Sequence, residues 1–301
     1  MLHFLPSPVI GCISVIFYIA NTILWLIPIL ICSLLKALVP LSQWQKFFSY
    51  LLDQLASNWV YCNTFIQKLF TKTKINVTGL EKLKMKDWYL VISNHQSWID
   101  ILVLQRVLHG KIPFLKFFLK KELIYVPLLG LAWWALDFPF MKRYSQHFLK
   151  KNPHLIGKDI ETTKKACEKF KHKPVSVMNF IEGTRFTAEK HQQQHSPFQR
   201  LLKPKAGGIG FVLQAMKGNL SKVVNVTIYY PDGRPKFFDF LSGKIKQVNI
   251  AIETQDIDES LKGDYVNDRA YKIRFQQWVN QLWLDKDKKM LQLEAQAKKD
   301  M

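Results

Sequence analysis

The chain has 301 residues, 48% of them hydrophobic, which excludes a mainly disordered protein and allows one large domain or two small ones. A formal charge of +20 and a pI near 9.7 require an anionic class of partner: nucleic acid, anionic lipid or a phosphorylated substrate. The lysines are spread among many Trp and Phe instead of forming one stripe or tail, a pattern that suits a membrane surface at least as well as nucleic acid.

From Pro8 to Leu35 there is no charged residue. As a helix this run is about 42 Å long, against a hydrocarbon core of about 30 Å. No basic residue precedes it, which disfavours a signal peptide. Lys36, Lys46, Lys68, Lys72 and Lys74 all follow it, so the positive-inside rule puts the rest of the chain in the cytoplasm. Pro28 and Asn21 leave open a helix that dips into one leaflet instead of crossing. Residues 1–40 are therefore expected to be a membrane-embedded helix. Residues 41–74 follow as an amphipathic interfacial segment, with Trp44, Phe47, Phe48, Leu51, Leu52, Leu55, Trp59 and Phe65 at helical intervals.

A globular domain is expected over 75–285. Trp88 to Ser93 predicts a short buried strand, and Ile99 to Leu108 a helix, so Asn94-His95-Gln96-Ser97-Trp98 forms the turn between them. Ligands of α/β sheets meet the protein at such carboxyl ends of strands. Asp100 comes round one helical turn later, close enough to fix the tautomer of His95 and leave its second ring nitrogen as a base. Taken alone, this is equally a capped turn whose His and Asp satisfy backbone groups. Pro113 to Leu119 reads as a second strand, followed by Lys120-Lys121-Glu122-Leu123 and a turn over Val126 to Gly130. Leu136 to Met141 is a further apolar run ending at Lys142-Arg143, and Pro153 to Gly157 reads as a loop.

Lys158 to Lys171 predicts an amphipathic helix with Ile160, Cys167 and Phe170 inward. Pro174 to Ile181 is the clearest strand, and it runs into Glu182-Gly183-Thr184-Arg185. Glycine there permits a sharp turn, and the Arg185 fork suits phosphate oxygens. His191 and His195 lie four apart, but no third ligand accompanies them, and no metal is expected. Ala206-Gly207-Gly208-Ile209-Gly210 opens an apolar helix to Met216, for which close helix–sheet packing is expected over phosphate binding, and Val223 to Tyr230 is again a strand. Phe275, Trp278, Val279, Leu282 and Trp283 share one helical face near the end, before a charged tail over 286–301 that reads as a solvated helix end. The four cysteines include no C-x-x-C and read as reduced packing residues. The alternation predicts an α/β fold: a mixed, largely parallel sheet flanked by helices, with the N-terminal membrane helix and interfacial segment before it.

Together these blocks resemble the glycerolipid acyltransferase family that includes the 1-acylglycerol-3-phosphate acyltransferases. Asn-His-x-x-x-x-Asp is met at Asn94, His95 and Asp100; a lysine, leucine, proline, glycine block at Lys120, Leu123, Pro127 and Gly130, followed by Arg143; and Glu-Gly-Thr-Arg at Glu182 to Arg185. The fourth block fits at Lys205 to Gly208, but Val224-Asn225-Val226 has Asn where the family often has Pro. The late Trp278-x-x-x-Leu282-Trp283-x-x-Lys286-Asp287 resembles the branch containing lysophosphatidic and lysocardiolipin acyltransferases.

The resemblance implies transfer of a fatty acyl group from acyl-CoA or acyl-carrier protein to the sn-2 hydroxyl of 1-acylglycerol-3-phosphate, or to another lysophospholipid or lipid A. It implies catalysis by His95 and Asp100, and substrate binding by Lys120, Arg143, Glu182, Gly183, Thr184 and Arg185. Glu182 would orient the arginine or the glycerol backbone, and N–H groups of the His95 or Gly183 turn would hold the oxyanion. No cofactor is expected beyond the thioester co-substrate. The partners are a lysophospholipid, the acyl donor and anionic membrane lipid, with no nucleic acid, at a bacterial inner membrane with the catalytic domain cytoplasmic. A membrane-anchored lipid-binding protein without catalysis is the rival reading.

Overall fold

Every position of the strand Tyr89–Ser93 is buried, as in a strand covered by helices on both faces. The computed structural model, described for residues 5–141, 158–168, 170, 173–216 and 218–299, is organised around it. The strands are β1 (Lys74–Thr78), β2 (Tyr89–Ser93), β3 (Leu115–Phe117), β4 (Leu119–Lys120), β5 (Phe140–Met141), β6 (Ser176–Phe180), β7 (Lys222–Tyr229) and β8 (Gln247–Asp256). Six of them form one sheet in the order β1-β8-β7-β2-β6-β3. Only the β7–β8 pair is antiparallel, so the sheet is mixed and mostly parallel, as the sequence predicts.

The helices are α1 (Ser7–Leu38), α2 (Ser42–Phe70), α3 (Ile99–Leu108), α4 (Leu129–Ala135), α5 (Lys158–Glu168), α6 (Ala188–Gln193), α7 (Ala206–Ala215), α8 (Phe237–Leu241) and α9 (Arg269–Lys299). Alternation along β2 divides the core. Tyr89 and Val91 pack with residues of α1 to α4 and α8 on one face; Leu90 and Ile92 pack with α5, α7 and α9 on the other. Parallel register aligns Ser93 of β2 with Phe180 of β6 and Val226 of β7, which gathers the three following segments at one end of the sheet.

The apolar run at the N-terminus is one helix, continuous through Pro28, and long and apolar enough to cross a membrane. It folds back on α2 as an antiparallel hairpin. Asn21, a candidate break in the sequence, instead donates from Nδ2 to Asn63 Oδ1 (2.9 Å) and to the Trp59 carbonyl (3.2 Å). Both ends of α1 touch the rest of the domain: Gly11 lies so close to the Phe238 ring that a Cβ there would be 2.4 Å from it, and Lys36 pairs with Asp137. The stripe expected on α2 is divided. Phe48, Leu52 and Trp59 are buried against the protein, whereas Phe47 and Phe65 point outward with Ile16, Leu24 and Leu34 of α1.

Three features depart from the sequence reading. The strand expected at 113–119 splits into β3 and β4, because the chain leaves the main sheet after Phe117 to pair Leu119 with Phe140. The edge strand β1 and the long β8 carry no signal strong enough to separate them from polar connections, and they pair only with each other and with β7. Finally, the segment 286–301, expected as a charged, solvated helix end, does continue α9 as far as Lys299 but buries Lys286, Asp287, Met290 and Ala297.

Candidate active site

His95 stands on the turn that follows β2, and the turn is fixed from three directions. The side chain of Asn94, fully buried, continues the sheet in place of backbone: Nδ2 donates to the Ile228 carbonyl and Oδ1 accepts from the Ile228 N–H, both at 2.9 Å. Asp100, in the first turn of α3, reaches back with Oδ2 to accept from Gln96 N–H (2.6 Å), Ser97 N–H (2.9 Å) and His95 Nδ1 (2.9 Å). Its Oδ1 accepts from the Tyr230 hydroxyl at 2.6 Å, and burial together with this carboxylate pushes the tyrosine pKa well above its ordinary value. A carboxylate only accepts, so Nδ1 carries the proton and Nε2 presents its lone pair. Nε2 has no partner among the described residues. The ring lies on Phe180, with centroids 4.0 Å apart and planes 16° from parallel. Thus the geometry required of a general base is present, with the histidine held in one tautomer and one orientation.

Glu182 has a different place from the one expected. It is fully buried behind the turn, where Oε1 accepts from His95 N–H (2.7 Å) and Oε2 from Leu202 N–H (2.9 Å). Both oxygens are therefore committed to backbone, and the substrate contact expected of Glu182 is replaced by a tie between two loops. Burial raises its pKa to about 8 against the pull of those two N–H donors. Gly183 follows at φ 72, a conformation that favours glycine and lets the chain reverse after β6. Thr184 Oγ1 accepts from Lys190 Nζ at 2.8 Å. Arg185 is exposed, and its guanidinium lies 5.0 Å over the Trp98 ring with no ion pair to a described residue.

The remaining expected residues are more loosely placed. Lys120 is exposed at the end of β4, and its ammonium makes no hydrogen bond or ion pair with a described residue. Arg143 lies outside the described residues. The N–H groups of His95, Gln96, Ser97, Gly183 and Phe186 are all engaged, the last two with the Phe180 and His95 carbonyls. Among the described residues, the donors these two turns leave unengaged are therefore the Trp98, Thr184 and Arg185 N–H groups. Ser97 is not poised as a nucleophile, since its Oγ donates to the Pro235 carbonyl at 2.7 Å. His191 is bonded through Nε2 to the Phe198 carbonyl at 2.6 Å.

The late tryptophan–lysine–aspartate motif supplies residues that sequence reasoning did not place at the site. Trp283 Nε1 donates to the Leu202 carbonyl (2.9 Å), and Asp287 accepts from the N–H groups of Gln199 and Arg200 (2.8 and 2.9 Å). Lys286, fully buried, donates to the Val226 carbonyl, and burial lowers its pKa to about 7. Its folded value is below the unfolded value of about 10.4. The cost of burying its charge is therefore complete below pH 7 and is relieved as pH rises toward 10. Glu182, with its raised value, has the opposite slope at lower pH. The melting temperature of the wild type should accordingly rise relative to that of Lys286→Met between pH 7 and 10; a constant difference over that range would remove the lysine from the pH response.

Comparison with known proteins follows the same residues. The protein-family model described as Acyltransferase matches residues 74–230. The chain is 27% identical over 251 residues to 1-acyl-sn-glycerol-3-phosphate acyltransferase 3 of Arabidopsis thaliana, covering 76% of this chain and 59% of that protein. It is 25% identical over 217 residues to the human 1-acyl-sn-glycerol-3-phosphate acyltransferase gamma, covering 67% and 52%. The chain thus spans a little over half the length of these curated relatives. Among solved structures, that of the 1-acyl-sn-glycerophosphate (LPA) acyltransferase PlsC from Thermotoga maritima superposes with a TM-score of 0.51 at 17% identity, over 92% of this chain and 97% of that one. That likeness is one of fold.

Proposed function

Because the chain belongs to the acyltransferase family, we propose that it moves a fatty acyl group from acyl-CoA or acyl-carrier protein to the sn-2 hydroxyl of 1-acylglycerol-3-phosphate. The product is phosphatidic acid. The observation that carries this reading is the His95–Asp100 pair, whose Nε2 has no partner among the described residues, near Arg185, which pairs with no carboxylate among them.

His95 Nε2 takes the proton of the acceptor hydroxyl while that oxygen bonds to the thioester carbonyl carbon. The carbonyl electron pair moves onto oxygen, and Asp100 stabilises the imidazolium. Collapse of the oxyanion breaks the C–S bond, and the departing thiolate takes the proton from His95. The acceptor hydroxyl is itself the nucleophile, and no acyl-enzyme forms. Arg185 offers a planar fork for the acceptor's phosphate. Transfer to another lysophospholipid or to lipid A uses the same steps.

Membrane attachment fits this chemistry, since the acceptor resides in the bilayer. Gly11 and Lys36, roughly 38 Å apart along the helix, both hold α1 to the domain, which favours a hairpin dipping into one leaflet over a single crossing. The basic composition suits anionic lipid and anionic donor alike, with the domain on the cytoplasmic side of a bacterial inner membrane.

Release of free thiol from acyl-CoA only on addition of lysophosphatidic acid is the expected result with the purified protein; saturable lipid binding without thiol release would overturn the enzyme reading. Charge-assisted hydrogen bonds contribute roughly 1.5–3 kcal/mol each. Arg185→Ala should therefore lower kcat/KM for lysophosphatidic acid by at least about tenfold, with Arg185→Lys recovering only part because it lacks the fork. Equal proportional losses with monoacylglycerol would move the phosphate role away from Arg185.

A further inference from the structure

A second guanidinium borders the His95 turn. Arg234 belongs to the loop between β7 and α8, and residues on either side of it grip the catalytic turn. Tyr230 donates to Asp100 (2.6 Å), and the Pro235 carbonyl accepts from Ser97 Oγ (2.7 Å). The Arg234 guanidinium lies 3.9 Å over the ring of Phe186, whose N–H donates to the His95 carbonyl (2.8 Å). Phe186 adjoins Arg185, itself seated over Trp98. Two arginines from different loops are thus each laid on an aromatic face beside one histidine, a support that orients the planar fork.

Neither guanidinium forms a hydrogen bond or ion pair with a described residue. The carboxylates that act on Arg234 are Glu182 and Glu189. Glu182 is buried with both oxygens bonded to backbone N–H groups. Arg200, the other charge facing Arg234, is satisfied by Glu294. Desolvation and Arg200 lower the Arg234 pKa and Glu182 and Glu189 raise it, yet neither carboxylate bonds to it, so this exposed cation has no direct counter-ion among the described residues. An anion supplied from outside would relieve this. A phosphomonoester has three terminal oxygens, more than one bidentate fork occupies.

We propose that Arg234 is a phosphate-binding residue which, with Arg185, grips the phosphomonoester of the acceptor. The assignment rests on the acceptor reading given above and adds a residue outside the four blocks of the family resemblance. The phosphates of a CoA donor offer the same chemistry, and the test separates the two sources.

Kinetics of wild type, Arg234→Ala, Arg234→Lys and the Arg185→Ala/Arg234→Ala pair decide it. Arg234→Ala should lower kcat/KM for lysophosphatidic acid about tenfold, the loss of one charge-assisted contact, and Arg234→Lys should restore part of it. The double variant should lose less than the product of the single losses, because both arginines hold one group. A non-reactive alkyl phosphate should inhibit Arg234→Ala about tenfold more weakly than wild type by the same reasoning. The KM for acyl-CoA should stay unchanged.

Unaltered acceptor kinetics and unaltered inhibition would overturn the assignment. So would a defect confined to the KM for acyl-CoA and absent with acyl-pantetheine, which would give Arg234 to the donor. Failure of the wild type to use lysophosphatidic acid would instead defeat the functional reading itself, and this assignment with it.

Discussion

His95→Ala should lower kcat by about 10⁴-fold, the upper end of what a positioned general base contributes, while the melting temperature should change little. The large loss follows from the absence of a substitute. Ser97 is bonded to Pro235, and the Tyr230 hydroxyl is committed to Asp100. The small structural effect follows from where the fold-defining contacts lie. His95 bonds to Glu182 and Phe186 through its backbone N–H and carbonyl, which alanine retains. The lost ring leaves space beside Phe180, but the side chain is already 14% exposed, so water fills it. Single-turnover thiol release with melting curves on the same preparation checks both halves. Near-normal kcat in a folded variant would remove His95 from the mechanism.

Asp100→Asn should give the second largest effect, roughly 10³-fold in kcat, somewhat below the loss of about 10⁴ that follows when an amide leaves a triad histidine in the wrong tautomer. The difference is argued from the donors around the carboxylate. Oδ2 receives three N–H groups, so the amide oxygen of asparagine must occupy that position. Its NH₂ then faces Tyr230, whose hydroxyl can turn and accept. His95 keeps its proton on Nδ1, and what disappears is the negative charge that stabilises the imidazolium. Asp100→Ala leaves the Gln96 and Ser97 N–H groups unpaired as well, so it should also lower the melting temperature, which Asp100→Asn should not. An Asn variant with wild-type kcat would show that the charge is irrelevant to turnover.

The His95–Asp100 pair was legible because the relevant distance is local. A strand, a turn and one helical turn place residue 100 beside residue 95 whatever the rest of the chain does. The Gly183 reversal was legible for the same reason, a glycine closing a strand. Glu182 reads from the sequence as a substrate contact, since its neighbours cannot reveal that Leu202 N–H and His95 N–H converge on it from other segments. Tyr230 was visible only as the last residue of a strand; its bond to Asp100 spans 130 residues. The edge strand β1 was hidden in a lysine-rich stretch, because pairing with β8 far along the chain decides its state more than its own composition does. The charged composition of 286–301 suggested solvent, but Lys286 and Asp287 are buried where each finds backbone partners.

The docking of α9 also orders events during folding. Asn94 adjoins His95, yet its Nδ2 lies 3.8 Å from the Met290 sulfur, 196 positions later. Trp283, Asp287 and Lys286 close on Leu202, the 199–200 loop and Val226 just as late. Contacts of such separation form only after most of the chain is ordered. Until α9 is docked, the loop that supplies Leu202 N–H to Glu182 lacks the bond from Trp283 to the Leu202 carbonyl. Heat or denaturant that loosens α9 should therefore reach the His95 turn by way of Glu182, although the helix and the turn lie far apart in the sequence.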